Sequence, residues 1–179
     1  MFMGGATVVA LVAGVLWLNA KAAGIVIDTY KGVAVYDNGP LVFKSHGRHY
    51  SPNGYYWGQR WQCVEFVKRF YDVAKTHQMR DPWGHAKDFF DAATPQGGMN
   101  ERRGLRQFRN GGDVVPAVDD LFVFDGRYGH VGIVSEVTSN SVEIVQQNIY
   151  RRPRQRFELA ATNGNFTVKS GALKGWLRK

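Results

Sequence analysis

Two side chains in this sequence have the types and surroundings that nucleophilic catalysis requires. Cys63 is the sole cysteine of the chain. It follows Trp61-Gln62 and opens a run in which Cys63, Val67, Phe70 and Ala74 recur at intervals of three or four, which predicts a helix beginning at the cysteine. Backbone N–H groups and the dipole at a helix N-terminus favour a thiolate and can hold an oxyanion formed by attack on a carbonyl. His130 stands at the expected mouth of a strand, between Gly129 and Val131-Gly132-Ile133-Val134. Small neighbours leave its ring free to reach a helix terminus brought close by folding, as a general base for the thiol would have to. A lone buried structural cysteine and a strand-end histidine bonded to water or backbone are the competing readings. His46, His49, His77 and His85 have no comparable placement and are read as non-catalytic.

A third group should orient the imidazole and fix its tautomer. The strand after His130 ends Ile144-Val145-Gln146-Gln147-Asn148, so an amide oxygen is available from Gln146 or from Asn148. An amide stabilises the imidazolium less than a carboxylate does.

The elements that position these groups follow from periodicity. Residues 24–43 read as β-rich, with 32–36 strand-like and a turn at Asp37-Asn38-Gly39-Pro40. Residues 46–58 read as a loop. The helix from Cys63 carries Glu65 and Arg69 as an i,i+4 pair on its side away from the apolar stripe. A second helix is expected from Asp81-Pro82 through Phe90, and residues 94–113, rich in glycine and arginine, read as an exposed loop. Strands are then expected over 120–124, 131–137 and 141–145, with a further pair over 157–159 and 166–169. Helices followed by antiparallel strands make an α+β domain.

With these motifs placed, the sequence resembles the CHAP superfamily of cysteine, histidine-dependent amidohydrolases and peptidases. Trp61-Gln62-Cys63-Val64-Glu65-Phe66, Gly129-His130-Val131-Gly132-Ile133-Val134 and Gln146-Gln147-Asn148 carry the resemblance. It is similar in particular to the amidase domains of bifunctional glutathionylspermidine synthetase/amidases, extending through residues 32–36 and 173–176. The resemblance implies a papain-like α+β fold of the NlpC/P60-CHAP type, with N-terminal helices packed on an antiparallel β-sheet. It implies Cys63 as nucleophile, His130 as base and Gln62 near the oxyanion site, where the main-chain N–H of Cys63 is the expected donor. Trp61 and Tyr128 are assigned to substrate binding. The family usually has Glu where this chain has Gln146, and Gly where it has Asp119. Some relatives bind calcium through acidic residues just upstream of the cysteine. Residues 51–62 contain none, so neither metal nor cofactor is expected.

Composition sets the wider frame. The chain has 179 residues, 44% of them hydrophobic, and a formal net charge of +8, a globular composition suited to an anionic partner or surface. One cysteine excludes an internal disulfide. Residues 1–20 carry no charged side chain, and Ala20-Lys21-Ala22 has the small-x-small form of a cleavage site. Residues 1–22 are therefore expected to be a signal peptide or membrane anchor, and 23–179 a CHAP amidase/peptidase domain exported to the periplasm, the cell exterior or the outer face of the inner membrane. The expected activity is cleavage of amide bonds in peptidoglycan peptides, with an anionic envelope polymer or a protein as further partners. A polyamine conjugate such as glutathionylspermidine is the alternative substrate, and a catalytically weakened cell-wall binding module the alternative role. Arg102, Arg103, Arg106, Arg109 and Arg151-Arg152-Pro153-Arg154 read as solvated basic loops, without a motif for specific nucleic-acid recognition.

Overall fold

The computed structural model describes Gly14 and residues 22–179. The expected signal peptide or anchor over 1–22 lies almost entirely outside the described residues. Among the described residues no helix is long and apolar enough to cross a membrane.

The scaffold is an antiparallel sheet curled around an aromatic core. Two small hairpins come first, β1 (Val26–Tyr30) with β2 (Val33–Tyr36), then β3 (Arg48–Tyr50) with β4 (Tyr56–Gln59). Helix α1 (Cys63–Lys75) follows, then a short 3₁₀ turn (Ala86–Phe89). The remaining strands are β5 (Met99–Asn100), β6 (Leu105–Arg109), β7 (Leu121–Phe124), β8 (His130–Val137), β9 (Ser141–Gln146), β10 (Arg154–Thr162), β11 (Asn165–Val168) and β12 (Leu173–Arg178). They form one sheet in the order β11-β10-β9-β8-β7-β12-β6-β5. The last strand is inserted between β6 and β7, so the C-terminal segment lies inside the sheet. Beyond β6, Gly112 bridges to Phe166 on β11, and Asn110 bonds Val168 in both directions, which brings the two ends of the sheet together.

Side-chain alternation along the strands gives two cores. Phe108, Phe122, Phe124, Val134, Ile144 and Trp176 fill the inside of the curl. Val123, Val131, Ile133 and Val145 point outward and are covered by Phe66, Val67, Phe70 and Tyr71 of α1. The α+β character holds, but among the described residues the sheet is packed by one α-helix rather than several. Asp81 folds back in a turn by accepting from Trp83 N at 2.9 Å, and Gly84 has φ +109. Helical geometry therefore starts only at Ala86 and ends before Phe90, which is extended.

Residues 94–113 are not an exposed loop. On β6 Leu105 joins the core under α1 and Phe108 the core inside the curl, with Gln107 buried as well, so the strand is covered on both faces and only Arg106 and Arg109 are exposed. Residues 46–58 likewise contain β3 and β4 rather than only loop. Glu65 and Arg69 do pair, at 2.5 Å, but both are buried, Glu65 at 0% exposure. Arg103 is fully buried, and Arg154 pairs with Asp28 and Glu143, so neither is the solvated charge expected of it.

Candidate active site

Cys63 is the first residue of α1 and is 7% exposed. Gly58 allows this placement, since a Cβ there would sit 2.9 Å from the Glu65 Cα and push β4 off the helix start. Burial pushes the Cys63 thiol up to about 11, against the opposing pull of the N–H groups of Val131, Val64 and Cys63 itself. The thiol thus rests protonated amid backbone donors supplied by the helix N-terminus and by the start of β8.

His130 is the first residue of β8. Its ring lies on the inner face of the curl beside Phe124, with centroids 6.1 Å apart, whereas Val131 packs outward with α1. Thiol and imidazole therefore approach the same end of β8 from opposite faces. Among the described residues no hydrogen bond joins Cys63 Sγ to His130. The imidazole Nε2 is 2.9 Å from Gln146 Oε1. The orientation of that amide is set by its nitrogen, which faces Arg152 O at 3.2 Å and Gln155 Oε1 at 3.4 Å, both acceptors. Gln146 Oε1 must then accept from Nε2–H, which leaves Nδ1 with the lone pair of a neutral ring.

Burial lowers the His130 pKa to about 4, with the Gln146 bond pulling the other way. Its unfolded value is about 6.5, so the unfolded chain binds the proton more readily, and this contribution to stability is lost as pH falls from about 6.5 toward about 4. A carboxylate at position 146 would favour the imidazolium. In Gln146→Glu the NMR titration midpoint of His130 is expected to rise by ~1–3 units, because an opposite charge would stand within hydrogen-bond reach. An unchanged midpoint would show that Gln146 does not govern the ring.

The three consecutive amides at the end of β9 divide the work. Gln146 holds His130. Gln147, unassigned by the sequence reading, accepts from Tyr36 N at 2.8 Å and donates to Gln62 O at 3.0 Å and Glu65 Oε2 at 2.7 Å, which fastens the start of α1. Asn148 lies off the imidazole and donates to Gln62 Oε1 at 2.6 Å while accepting from Asn38. Gln62 Nε2 gives its hydrogens to Val42 O and Lys44 O, at 3.2 and 2.9 Å. Its side chain is thus committed to the 42–44 segment, and the main-chain N–H at the helix start is the donor that remains.

A groove of about 180 Å³ opens at Cys63 between Tyr56, Gln59, Gln62, Trp83, His85 and Tyr128. Tyr128 lines it, with its ring 4.9 Å from His85. Trp61 does not line it; that ring packs on Tyr36 at 4.0 Å and on His49 at 5.4 Å. Trp83, 56% exposed, takes the wall position instead. Only its neighbouring Pro82 and Gly84, marking an irregular surface segment, hinted at this. Gly129 brings the Tyr128 loop close, since a Cβ there would lie 2.5 Å from Lys87 N. Among the described residues no group of three or more His, Cys, Asp or Glu is arranged to hold a metal ion.

The sequence profile of the CHAP domain matches residues 52–148, a stretch that contains Cys63, His130 and all three amides. The chain belongs to the CHAP domain family. It is similar to the bifunctional glutathionylspermidine synthetase/amidases of Escherichia coli (strain K12) and Shigella flexneri, each 29% identical over 143 residues. The match covers 68% of this chain and 22% of each relative, so the chain spans about a fifth of their length. CHAP membership and likeness to an amidase support hydrolysis of amide bonds, and the α+β architecture is consistent with a papain-like fold.

Proposed function

We propose that this CHAP protein is an exported cysteine amidase or endopeptidase that cleaves amide bonds in peptidoglycan peptides. The observation that carries the reading is the sharing of one strand end: a thiol at a helix N-terminus that meets the Val131 N–H, and at the adjoining residue a neutral histidine whose tautomer Gln146 fixes. His130 Nδ1 takes the Cys63 proton as Sγ attacks the amide carbon. The oxyanion is held by the N–H of Cys63, and His130 returns the proton to the leaving nitrogen as the C–N bond breaks. Water, deprotonated by His130, then hydrolyses the thioester. The resting thiol and imidazole have to draw together when substrate fills the groove, as catalytic hydrogen bonds commonly tighten only in the substrate complex.

The peptidoglycan substrate is supported by the net charge of +8, which suits an anionic envelope, and by the uncharged apolar N-terminal run. Likeness to a glutathionylspermidine amidase favours a polyamine conjugate as the second reading. It ranks second because among the described residues no Asp or Glu lines the groove to receive a polycation. Incubation of the purified protein with sacculi under reducing conditions, followed by mass spectrometry, is expected to reveal new amine and carboxyl ends. Faster release of spermidine from glutathionylspermidine would reverse the ranking, and no cleavage of either would refute the enzymatic reading.

A further inference from the structure

Behind the outer wall of the groove lie two cations with no carboxylate partner among the described residues. Lys68 on α1 and Arg103 in the β5–β6 turn are both 0% exposed. Their hydrogen bonds go to main-chain carbonyls. Lys68 Nζ donates to Tyr56 O and, at 3.0 Å, to Pro82 O. Arg103 donates to Asp81 O, and through Nη2 to Trp83 O at 3.1 Å and Asp88 O at 3.2 Å. The segment they grip, 81–85, has no helix or strand of its own, yet it carries Trp83 and His85 into the groove. Lys68 alone bridges two sides of the groove, because Tyr56 belongs to β4 and Pro82 to the irregular segment. The rings above this bridge, Tyr56 and Trp83, are 4.9 Å apart.

We propose that Lys68 is a positioning residue for substrate binding: its ammonium ties the Tyr56 and Pro82 carbonyls together, fixes Trp83 beside Cys63, and by its protonation state sets how tightly substrate is held. This rests on the groove being the substrate site of the proposed amidase. The chemistry at Cys63 and His130 does not pass through Lys68, so the effect falls on KM rather than kcat.

The surroundings of the ammonium let it titrate. Burial first and the Arg103 charge second lower its pKa, Asp81 and Glu65 oppose them, and the balance lies at about 7. The Tyr55 and Tyr56 rings face Nζ at 4.9 and 5.0 Å, and burial raises the pKa of both phenols, so they stay neutral. Asp72, one turn further along α1, is turned to Trp57 Nε1 at 2.8 Å and Gln78 at 3.0 Å. Above neutrality two charge-assisted bonds become neutral ones of roughly half the strength. Arg103, whose pKa burial lowers only to about 10, keeps its grip, so the wall loosens without collapsing.

The test follows the Trp83 indole N–H by NMR, assigned with Trp83→Phe, alongside KM and kcat on a cleaved amide. In the wild type the indole signal should move with a midpoint near 7, and KM should rise ~5–10-fold from about pH 6 to about pH 8.5 with no matching step in kcat. Lys68→Arg, which stays charged, should remove both steps. Lys68→Met, uncharged throughout, should show the high-pH KM at every pH. An indole that does not titrate, one that titrates equally in Lys68→Arg, or a step in kcat instead of KM would overturn the proposal. A Lys68-dependent indole step in a protein that hydrolyses no amide would overturn the proposed function instead.

Discussion

Replacing Cys63 with alanine is expected to lower amide hydrolysis by at least ~10⁴-fold, the scale on which loss of a nucleophile removes covalent catalysis. The fold should survive. The side chain is small and the site is the first position of α1, where the hydrogen bonds that hold the helix come from Gln147 to Gln62 and Glu65, not from the thiol. A loss of ~1 kcal/mol or less is expected in urea denaturation, consistent with removal of one buried sulfur. Rate and stability measured on the same preparation therefore separate nucleophile from core residue. A structural cysteine would give the opposite pattern, with stability reduced and hydrolysis or biological effect retained. So would a binding module, for which Cys63→Ala leaves the effect intact. Cys63→Ser is the sharper companion, since it preserves volume and replaces the thiol by an alkoxide precursor of much higher pKa.

The parts of this site that could be read from the sequence are those whose signal is local. Cys63 announces a helix start because Val67, Phe70 and Ala74 repeat behind it, and β7 to β9 read as short apolar runs on either side of His130. The groove wall was not legible. Trp83 lies in a segment without periodicity, and its position depends on Lys68 and Arg103, whose burial no local pattern reveals. Charge also misled: Arg103 sits in a glycine-rich basic stretch that composition reads as solvated, yet its guanidinium lies 3.9 Å from the Phe89 ring centroid. Strand β12 was visible only as a family motif, because its place between β6 and β7 is a choice of topology. The open question of Gln146 or Asn148 needed geometry for the same reason. Neighbouring positions on a strand end differ in the face they present, and that difference sends Gln146 to His130, Gln147 to α1 and Asn148 to Gln62.

Glu65 carries more weight than a surface i,i+4 pair would, because it and Arg69 are both buried. Its carboxylate is buried and receives His49 Nδ1 at 2.8 Å, Arg69 Nε at 2.5 Å and Gln147 Nε2 at 2.7 Å. Burial pushes its pKa up, but the His49 bond, the Arg69 charge and the Gln147 bond outweigh it, and the carboxyl is held below its usual value. The folded pKa is depressed, so the stabilisation is present above the unfolded value of about 4.3 and is lost as pH falls through the folded value. Glu65→Ala would leave the buried Arg69 guanidinium without its counter-charge and Gln147 with an unmet donor. The expected cost near neutral pH is ~3–5 kcal/mol, which for a domain of this size lowers Tm by roughly 6–20 °C. Calorimetry at neutral pH and again near pH 3 checks both magnitude and sign, because the gap between wild type and variant should narrow in acid. The double variant Glu65→Leu with Arg69→Met should recover part of the loss, since exchanging a whole buried pair for apolar groups is far less costly than halving it. Hydrolysis should not recover to the same extent. Gln147 would still lack the carboxylate that aligns it with the Gln62 carbonyl, and the start of α1 would be held less firmly to the end of β9. Equal recovery of stability and activity would mean that the network supports the fold alone and leaves the placement of Cys63 to the packing of α1.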